Sequence, residues 1–118
     1  AMLGLSFKPE TDDIRESAAV EIGRELLAAG AVVRAYDPEA MESAAAELPD
    51  LTMCKDPYET CEGADVLTIV TEWNEFRALD LDRLGKTLNH KRIVDMRNIY
   101  NPDSIRAIGF EYWSIGRP

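Results

Sequence analysis

The sequence predicts an α/β domain in which a mostly parallel β-sheet lies between two layers of helices. The chain has 118 residues, a size typical of one domain, and 46% of them are hydrophobic, which is enough to form a core. Short apolar runs alternate with helix-forming segments along the chain, and the connections between them are short. Strands that alternate with helices in this way pair in parallel through right-handed crossovers, so the expected architecture is a Rossmann-like three-layer sandwich.

The first strand is predicted over residues 2–7 and ends before Pro9, which cannot donate a hydrogen bond to a neighbouring strand. The first helix follows it. Asp13 and Glu16 have the spacing of a capping box, which places the start of this helix at Asp13. Gly30 is expected to end the helix in a left-handed conformation. The residues at helical spacing predict an apolar stripe made of Ala18, Ala19, Ile22, Leu26 and Leu27.

The remaining elements continue the alternation. β-Branched and aromatic residues favour strands, whereas segments rich in Ala, Glu and Leu favour helices. Residues 51–53 are expected to form a short edge strand, and the compact apolar run at 66–70 is typical of a buried central strand. The other strands are predicted over residues 31–36, 92–95 and 110–115, and the other helices over 39–48, 57–61, 79–88 and 102–108.

The charge of the chain limits its partners. Its 13 basic and 22 acidic residues give a net charge of −9, which disfavours nucleic acid and anionic membranes, since both bind to a concentrated basic surface. No apolar run approaches the roughly 18 residues of a membrane helix, and the N-terminus lacks the layout of a signal peptide. We therefore expect a cytoplasmic protein without nucleic-acid or membrane partners. A strand that begins almost at residue 1 suggests a domain cut from a longer protein.

Residues that could carry catalysis or bind a metal are few. Cys54 and Cys61 are too far apart for a Cys-x-x-Cys motif, and His90, the single histidine, lies in a polar loop. One histidine cannot form a multi-histidine metal site, and nothing places it beside a nucleophile. We expect two reduced thiols, no metal site and no catalytic residue within this chain.

The candidate binding residues follow the predicted strands, because ligands of open parallel sheets bind beyond the carboxyl ends of the strands. Lys8 follows the first strand, Trp73 follows the central strand, and Arg97 follows the strand at 92–95. Two cations and an aromatic ring at one edge suit an anionic ligand with a planar ring, such as a nucleotide. Each residue also has a structural alternative: Lys8 as a solvated loop residue, Trp73 as a packing residue, and Arg97 as the partner of Asp95.

Arg15 is a further candidate. It lies in the predicted first turn of the first helix, where a cation opposes the helix dipole. An unfavourable charge at this position suggests a partner, either Asp12 or a bound anion.

Two other classes of site fit the sequence less well. A complete dinucleotide site needs Gly-x-Gly-x-x-Gly after the first strand, but Gly4 is followed by bulky residues. Asp37, at the end of the second strand, is then better interpreted as a turn residue than as a ribose-binding acid. A phospho-receiver domain would use the acidic pair Asp12 and Asp13, but the third strand ends at Met53 without an acceptor aspartate. Composition and spacing lead to an anion-binding α/β domain and no further.

A series of motifs is specific enough to indicate a family. They are LGLSFKP at residues 3–9, TDDIRES at 11–17, YDP at 36–38, GAD at 63–65, TEW at 71–73 with Phe76, DMRN at 95–98 and SIGR at 114–117. This order, over nearly the whole chain, resembles the C-terminal UDP-binding domain of the UDP-glucose/GDP-mannose dehydrogenase family. The TEW and DMRN motifs are most similar to the branch of the family that oxidises UDP-glucose.

The resemblance implies a parent enzyme that converts UDP-glucose to UDP-glucuronate with two NAD+, through a cysteine-bound intermediate. An N-terminal domain would bind NAD, a central helical region would carry the cysteine, and this C-terminal domain would bind the UDP-sugar, so the fragment alone would be inactive. Phe7, Lys8 and Arg97 would contact the substrate, and Arg15 would reach NAD. The full-length protein would be a homo-oligomer. The alternative is a stand-alone nucleotide-binding or protein-interaction module without catalysis.

Overall fold

The structure is a computed structural model that describes residues 1–15 and 17–115. Within these residues, helices lie between all six successive strands, two of them between the fourth and fifth strands, and this order confirms the predicted α/β class. The strands are β1 (Met2–Leu3), β2 (Arg34–Tyr36), β3 (Thr52–Met53), β4 (Leu67–Ile69), β5 (Arg92–Asp95) and β6 (Glu111–Ser114). The helices are α1 (Ala18–Ala28), α2 (Met41–Glu47), α3 (Pro57–Cys61), α4 (Asn74–Arg77), α5 (Leu81–Thr87) and α6 (Pro102–Ala107).

The strands form one parallel sheet in the order β3-β2-β1-β4-β5-β6. The chain builds outward from β1 to β3, crosses back through α3, and then builds the other half from β4 to β6. The direction of building therefore changes between β1 and β4, where Leu3 pairs with Ile69. Open parallel sheets bind ligands in the crevice beyond the carboxyl ends of the strands at such a switch point. A ligand site is therefore expected at the loops that follow β1, β4 and β5.

Two apolar clusters cover the two faces of the sheet and produce the predicted three layers. On one face, Leu3, Ile69 and Ile93 pack with side chains from α3, α5 and α6. On the other face, Met2 and Ala35 pack with side chains from α1 and α2. Neighbouring residues enter opposite clusters because side chains alternate across a strand.

The start of α1 differs from the prediction. The helix begins at Ala18, with Ser17 at its N-cap, so Asp13 does not cap it. The carbonyl of Asp13 instead accepts a hydrogen bond from the backbone N–H of Phe7 at 2.7 Å, which folds residues 11–15 back onto the loop after β1. Glu16, the other half of the predicted capping box, lies outside the described residues.

The buried face of α1 is also rotated from the predicted stripe. Ala19, Val20 and Gly23 are the buried residues of the helix, whereas Ala18 and Leu26 are exposed. The close approach of Leu48 explains the shift, because a Cβ added to Gly23 would lie 3.2 Å from a Leu48 methyl carbon. The side of α1 with the smallest side chain therefore faces α2 and the sheet.

The other boundaries agree with the prediction in type and differ mainly in length. The bounds of α3 and β5 are as predicted, and β3 is the short edge strand that was expected. The strand predicted over residues 2–7 is reduced to β1, because Gly4 turns the chain at a φ of 101°. The short helix α4 was not predicted. Among the described residues, none of the helices is long and apolar enough to cross a bilayer.

Candidate functional site

The loops that follow β1 and β4 touch each other at the switch point of the sheet. A Cβ added to Gly4 would lie 2.5 Å from both the backbone nitrogen and the Cβ of Thr71, so only glycine permits this approach. The Thr71 hydroxyl donates a hydrogen bond to the Ser6 carbonyl at 2.9 Å. Gly4 and this hydrogen bond therefore hold the two loops in direct contact.

The buried carboxylate of Asp37 joins these two loops to the loop after β2. One oxygen accepts hydrogen bonds from the backbone N–H groups of Leu5 (2.7 Å) and Ser6 (3.1 Å) and from the indole N–H of Trp73 (3.1 Å). The other oxygen accepts two backbone N–H groups of the turn that follows, each at 2.8 Å. Asp37 is fully buried and Trp73 is 5% exposed. Asp37 is therefore a structural turn residue, and Trp73 is a packing residue, as the structural alternatives for each predicted.

A second buried carboxylate, that of Asp95, organises the loop after β5. One oxygen accepts the backbone N–H of Arg97 at 3.1 Å. The other accepts the backbone N–H groups of Ile99 (2.9 Å) and Tyr100 (3.1 Å) and the hydroxyl of Tyr112 (2.6 Å). Asp95 is thus a structural partner of Arg97, as the alternative predicted, and it accepts the backbone N–H of Arg97 rather than its guanidinium.

The guanidinium of Arg97 is fixed by the neighbouring β4 loop. Its Nε donates to the Val70 carbonyl at 2.7 Å and lies 3.3 Å from a carboxylate oxygen of Glu72. The side chains of Arg97 and Glu72 are each about one-third exposed, at 34% and 33%. No hydrogen bond within residues 1–15 and 17–115 uses the two terminal guanidinium nitrogens. Arg97 can therefore offer a bidentate pair of donors to an incoming anion.

Phe7 and Lys8 lie in the loop after β1, as predicted, and both are exposed. Phe7 is 42% exposed, so part of its apolar side chain is accessible to a ligand. The Lys8 carbonyl accepts a hydrogen bond from the Ser6 hydroxyl at 2.8 Å, which shapes the turn. Ser6 is connected through Thr71 to the β4 loop, on which Arg97 also rests. One chain of contacts therefore links the loop of Phe7 and Lys8 to the guanidinium of Arg97.

Arg15 is more exposed than the sequence suggested. Its side chain is 88% exposed and forms an ion pair with Asp13, with an N–O distance of 3.0 Å. Because α1 begins only at Ala18, Arg15 does not lie in a first helical turn, and the argument from the helix dipole is wrong. Its partner in the structure is Asp13, not the predicted Asp12. The hydrogen bonds from Arg15 lower the pKa of the Asp13 carboxyl, and the charge of Lys8 adds a smaller contribution.

The two thiols do not contribute to this edge of the sheet. Cys54 and Cys61 are both free and buried. Burial raises the pKa of the Cys61 thiol to about 12, so that it stays protonated at neutral pH and is a poor nucleophile. His90 is exposed in its loop. Within the described part of the chain, no group of three or more His, Cys, Asp or Glu side chains is placed to hold a metal ion.

Sequence reasoning missed Glu72 as a neighbour of Arg97. The pairing of Ile69 with Asp95 could have found it, because continuing that register places the residues after β4 beside those after β5. The sequence pattern alone gives no register between strands, so the contact needed the structure.

The fold and this cluster define a class of protein: a Rossmann-type α/β domain that presents Phe7, Lys8 and Arg97 from the switch-point loops of a parallel sheet. A profile of the UDP-glucose/GDP-mannose dehydrogenase family, UDP binding domain, matches residues 1–102. The chain belongs to this family. The resemblance inferred from the motifs is confirmed.

Individual relatives agree with the family assignment. The chain is 53% identical over 118 residues to a UDP-glucose 6-dehydrogenase of Rhizobium meliloti and 42% identical over 124 residues to one of Pseudomonas aeruginosa. In both cases all of this chain aligns, but it spans only 27% of the relative.

Solved structures give the same result. A dehydrogenase of NDP-N-acetyl-D-galactosaminuronic acid from Methanosarcina mazei superposes with a TM-score of 0.82 at 31% identity, over 99% of this chain and 24% of that one. A UDP-glucose dehydrogenase from Pyrobaculum islandicum superposes with a TM-score of 0.76 at 35% identity, over 96% of this chain and 24% of that one.

Proposed function

We propose that this chain is the UDP-sugar-binding domain of an NAD-dependent UDP-glucose 6-dehydrogenase. The complete enzyme would convert UDP-glucose, two NAD+ and water to UDP-glucuronate, two NADH and three protons. The names of the two curated relatives, at 53% and 42% identity, support this choice of reaction within the family. In this proposal the catalytic cysteine and the main NAD site belong to parts of the enzyme other than these 118 residues. The complete enzyme would be a cytoplasmic homo-oligomer.

The proposal rests mainly on the hydrogen bonding of the Arg97 guanidinium. Its guanidinium is anchored through Nε, while its terminal nitrogens are unused by the described residues. Guanidinium groups bind phosphate oxygens through two parallel hydrogen bonds, and such charge-assisted bonds contribute about 1.5–3 kcal/mol each. In a chain with a net charge of −9, a fixed cation at the switch point of the sheet is a local exception. It suits the diphosphate of a UDP-sugar.

Phe7 and Lys8 complete the proposed site from the loop after β1. The Lys8 ammonium would add a second positive charge toward the diphosphate as a point charge, without the planar geometry of arginine. The exposed Phe7 ring offers an apolar surface that would cover part of the ligand and exclude water from the charged contacts. The backbone of Ser6, just before both residues, is held by the buried side chains of Asp37, after β2, and Thr71, on the β4 loop.

The switch point of this chain does not fit a complete NAD site. Gly4 is the single glycine of the loop after β1, where the dinucleotide fingerprint needs three, and both oxygens of the Asp37 carboxylate accept hydrogen bonds from protein donors. The proposed cofactor contact is limited to Arg15, whose side chain is 88% exposed at the surface, where it is paired with Asp13.

A UDP titration of the chain, followed by amide NMR, tests the site. We expect shifts in the loops of Lys8 and Arg97, and we expect Arg97→Ala to weaken UDP binding by about tenfold or more. Arg92→Ala is the matched control, since Arg92 lies at the opposite end of β5 and is paired with Glu111. Equal UDP affinity for Arg97→Ala and wild type would remove Arg97 from the site.

Kinetics of the complete enzyme test the separate roles proposed for Arg97 and Arg15. Arg97→Ala should raise the KM for UDP-glucose, whereas Arg15→Ala should raise the KM for NAD+ and leave that for UDP-glucose unchanged. The chain alone should not oxidise UDP-glucose. Turnover by the chain alone would contradict the proposal, and a complete gene product without a dinucleotide-binding domain would favour the stand-alone module.

A further inference from the structure

The middle residue of the TEW motif is unexplained by the proposed site. Thr71 supports the β1 loop, and Trp73 donates to Asp37, so both of these side chains point into the protein. Glu72 is only partly buried, and its carboxylate lies beside Arg97. An acidic side chain next to a phosphate-binding cation weakens the local positive charge, so its presence needs a physical reason.

We propose that Glu72 is a positioning residue that orients the guanidinium of Arg97 toward the diphosphate of the ligand. This inference rests on the proposed function. The Val70 carbonyl accepts the Nε–H at 2.7 Å and fixes the distance of the guanidinium from the β4 loop. The Glu72 oxygen, at 3.3 Å from the same Nε, attracts that edge of the group toward the loop. Since the guanidinium is planar, holding its Nε edge leaves the terminal nitrogens on the outward edges.

Two opposing effects of Glu72 on ligand binding must be compared. An arginine side chain loses much rotamer freedom when it binds an anion, and a partner that orders it beforehand reduces this loss. Against this, the carboxylate repels the phosphate. The repulsion is weak here, because the pair is one-third exposed and a phosphate on the outward edge lies beyond the guanidinium from the carboxylate. Ordering of Arg97 is therefore the larger effect.

Because the side chains of Glu72 and Arg97 are partly exposed, the positioning role of Glu72 can be measured apart from its contribution to stability. A partly solvated ion pair contributes little to folding, so removing the Glu72 carboxylate should leave the unfolding midpoint nearly unchanged. The ion pair between Arg92 and Glu111, with an N–O distance of 3.7 Å at the opposite end of β5, provides a matched control. Glu111→Ala removes a carboxylate from an arginine of the same strand without touching the proposed site.

The test is a double-mutant cycle on UDP affinity, with Glu72→Ala, Arg97→Ala and the double variant in this chain. We expect Glu72→Ala to weaken UDP binding by about fivefold to tenfold in the wild-type background and by less than about twofold in the Arg97→Ala background. Glu72→Gln, which keeps the size of the side chain but removes the charge that attracts the guanidinium, should weaken UDP binding about as much as Glu72→Ala. Glu111→Ala should have no effect on affinity.

A second measurement needs no ligand. The Nε–H of Arg97 donates to the Val70 carbonyl, and its ¹⁵N NMR resonance should shift and exchange faster in both Glu72→Ala and Glu72→Gln, because the carboxylate no longer draws the guanidinium toward the β4 loop. Equal or tighter UDP binding by Glu72→Ala overturns the inference, as does an equal loss in both backgrounds or an unchanged Nε–H resonance. If the Nε–H resonance changes but wild type and Arg97→Ala bind UDP with equal affinity, the result contradicts the proposed function and not the positioning role of Glu72.

Discussion

Two buried aspartates, Asp37 and Asp95, follow strands on opposite sides of the switch point, yet they organise the structure in different ways. The partners of Asp37 include Leu5, Ser6 and Trp73, which lie 31 to 36 residues away in sequence. Three of the four donors to Asp95 lie only two to five residues away, in its own loop. The first carboxylate joins separate loops, whereas the second shapes one loop.

This difference indicates what each aspartate contributes to the candidate site. Asp37 closes long stretches of chain and thereby places the loop of Phe7 and Lys8 against the β4 loop. Asp95 determines the path of the backbone through Arg97. The two loops of the site therefore depend on different buried carboxylates, and these dependences can be separated by mutation.

The largest effect is expected for Asp37→Ala. This change leaves five buried or partly buried donors without their acceptor, and each unsatisfied buried group costs about 1–3 kcal/mol. We expect a loss of about 4 kcal/mol or more in the free energy of unfolding, measured by urea denaturation. Asp37→Asn, which keeps one acceptor oxygen, should fall between this variant and wild type.

A surface aspartate provides the control for Asp37. Asp50 is exposed, and its replacement by alanine should change the free energy of unfolding by less than about 0.5 kcal/mol. If Asp37→Ala and Asp50→Ala unfold at similar urea concentrations, the carboxylate does not hold the loops together.

A smaller stability loss and a more local disturbance are expected for Asp95→Ala. The four donors lose their acceptor, but the three backbone groups lie in one loop that can shift toward solvent, so we expect a loss of about 3 kcal/mol. Amide hydrogen exchange should increase first in residues 96–100 and much less in residues 4–8. Asp37→Ala should show the reverse order, and identical exchange patterns for the two variants would remove the distinction between them.

Gly4→Ala tests the contact that brings the two sides of the switch point together. The new methyl group would lie 2.5 Å from the Thr71 backbone, at a φ of 101° that alanine rarely adopts. We expect a loss of about 2–3 kcal/mol in the free energy of unfolding. Gly63→Ala is the control for conformation alone, since Gly63 has a φ of 72° with nothing within 4 Å of the added Cβ, and it should cost about 1 kcal/mol. Equal losses would mean that the approach of Thr71 is unimportant.

The sequence predicted the fold well because its signals are local. The apolar run at residues 66–70 and the turn at Gly30 follow from neighbouring residues, and the structure bears out both. The predicted start of α1 was wrong because a hydrogen bond from Phe7, in the preceding loop, to Asp13 overrides the capping pattern.

The candidate site was predicted by position but not by contact. Phe7, Lys8 and Arg97 follow strands that the sequence could identify, and the structure places them in the loops expected. The partner of Arg97 could not be predicted, since it depends on the register between β4 and β5. The burial of Trp73 likewise depends on Asp37, which is 36 residues away.

The smallest step expected is the loss of stability over one pH unit at alkaline pH, and it arises on the side of the sheet that contains Asp95. Cys61 and Tyr100 belong to the same apolar cluster, and burial raises the pKa of the Cys61 thiol to about 12 and that of the Tyr100 hydroxyl above its ordinary value. Both groups are protonated in either state below pH 9. Above the ordinary pKa of a thiol, 9.0, only the unfolded chain releases the Cys61 proton, so stability falls as the pH rises toward 12.

The expected slope for Cys61 is about 1.4 kcal/mol per pH unit between pH 9 and 12, and Tyr100 adds to it above pH 10. Urea denaturation from pH 7 to 11 measures this slope. Cys61→Ser, which removes the titrating thiol, should be less stable than wild type at pH 7 but should lose less stability between pH 9 and 10. Because both groups lie in the cluster beneath β4, β5 and β6, hydrogen exchange at alkaline pH should increase there before it increases around Asp37. A uniform increase over both sides of the sheet would show that the two carboxylate-organised regions unfold as one unit.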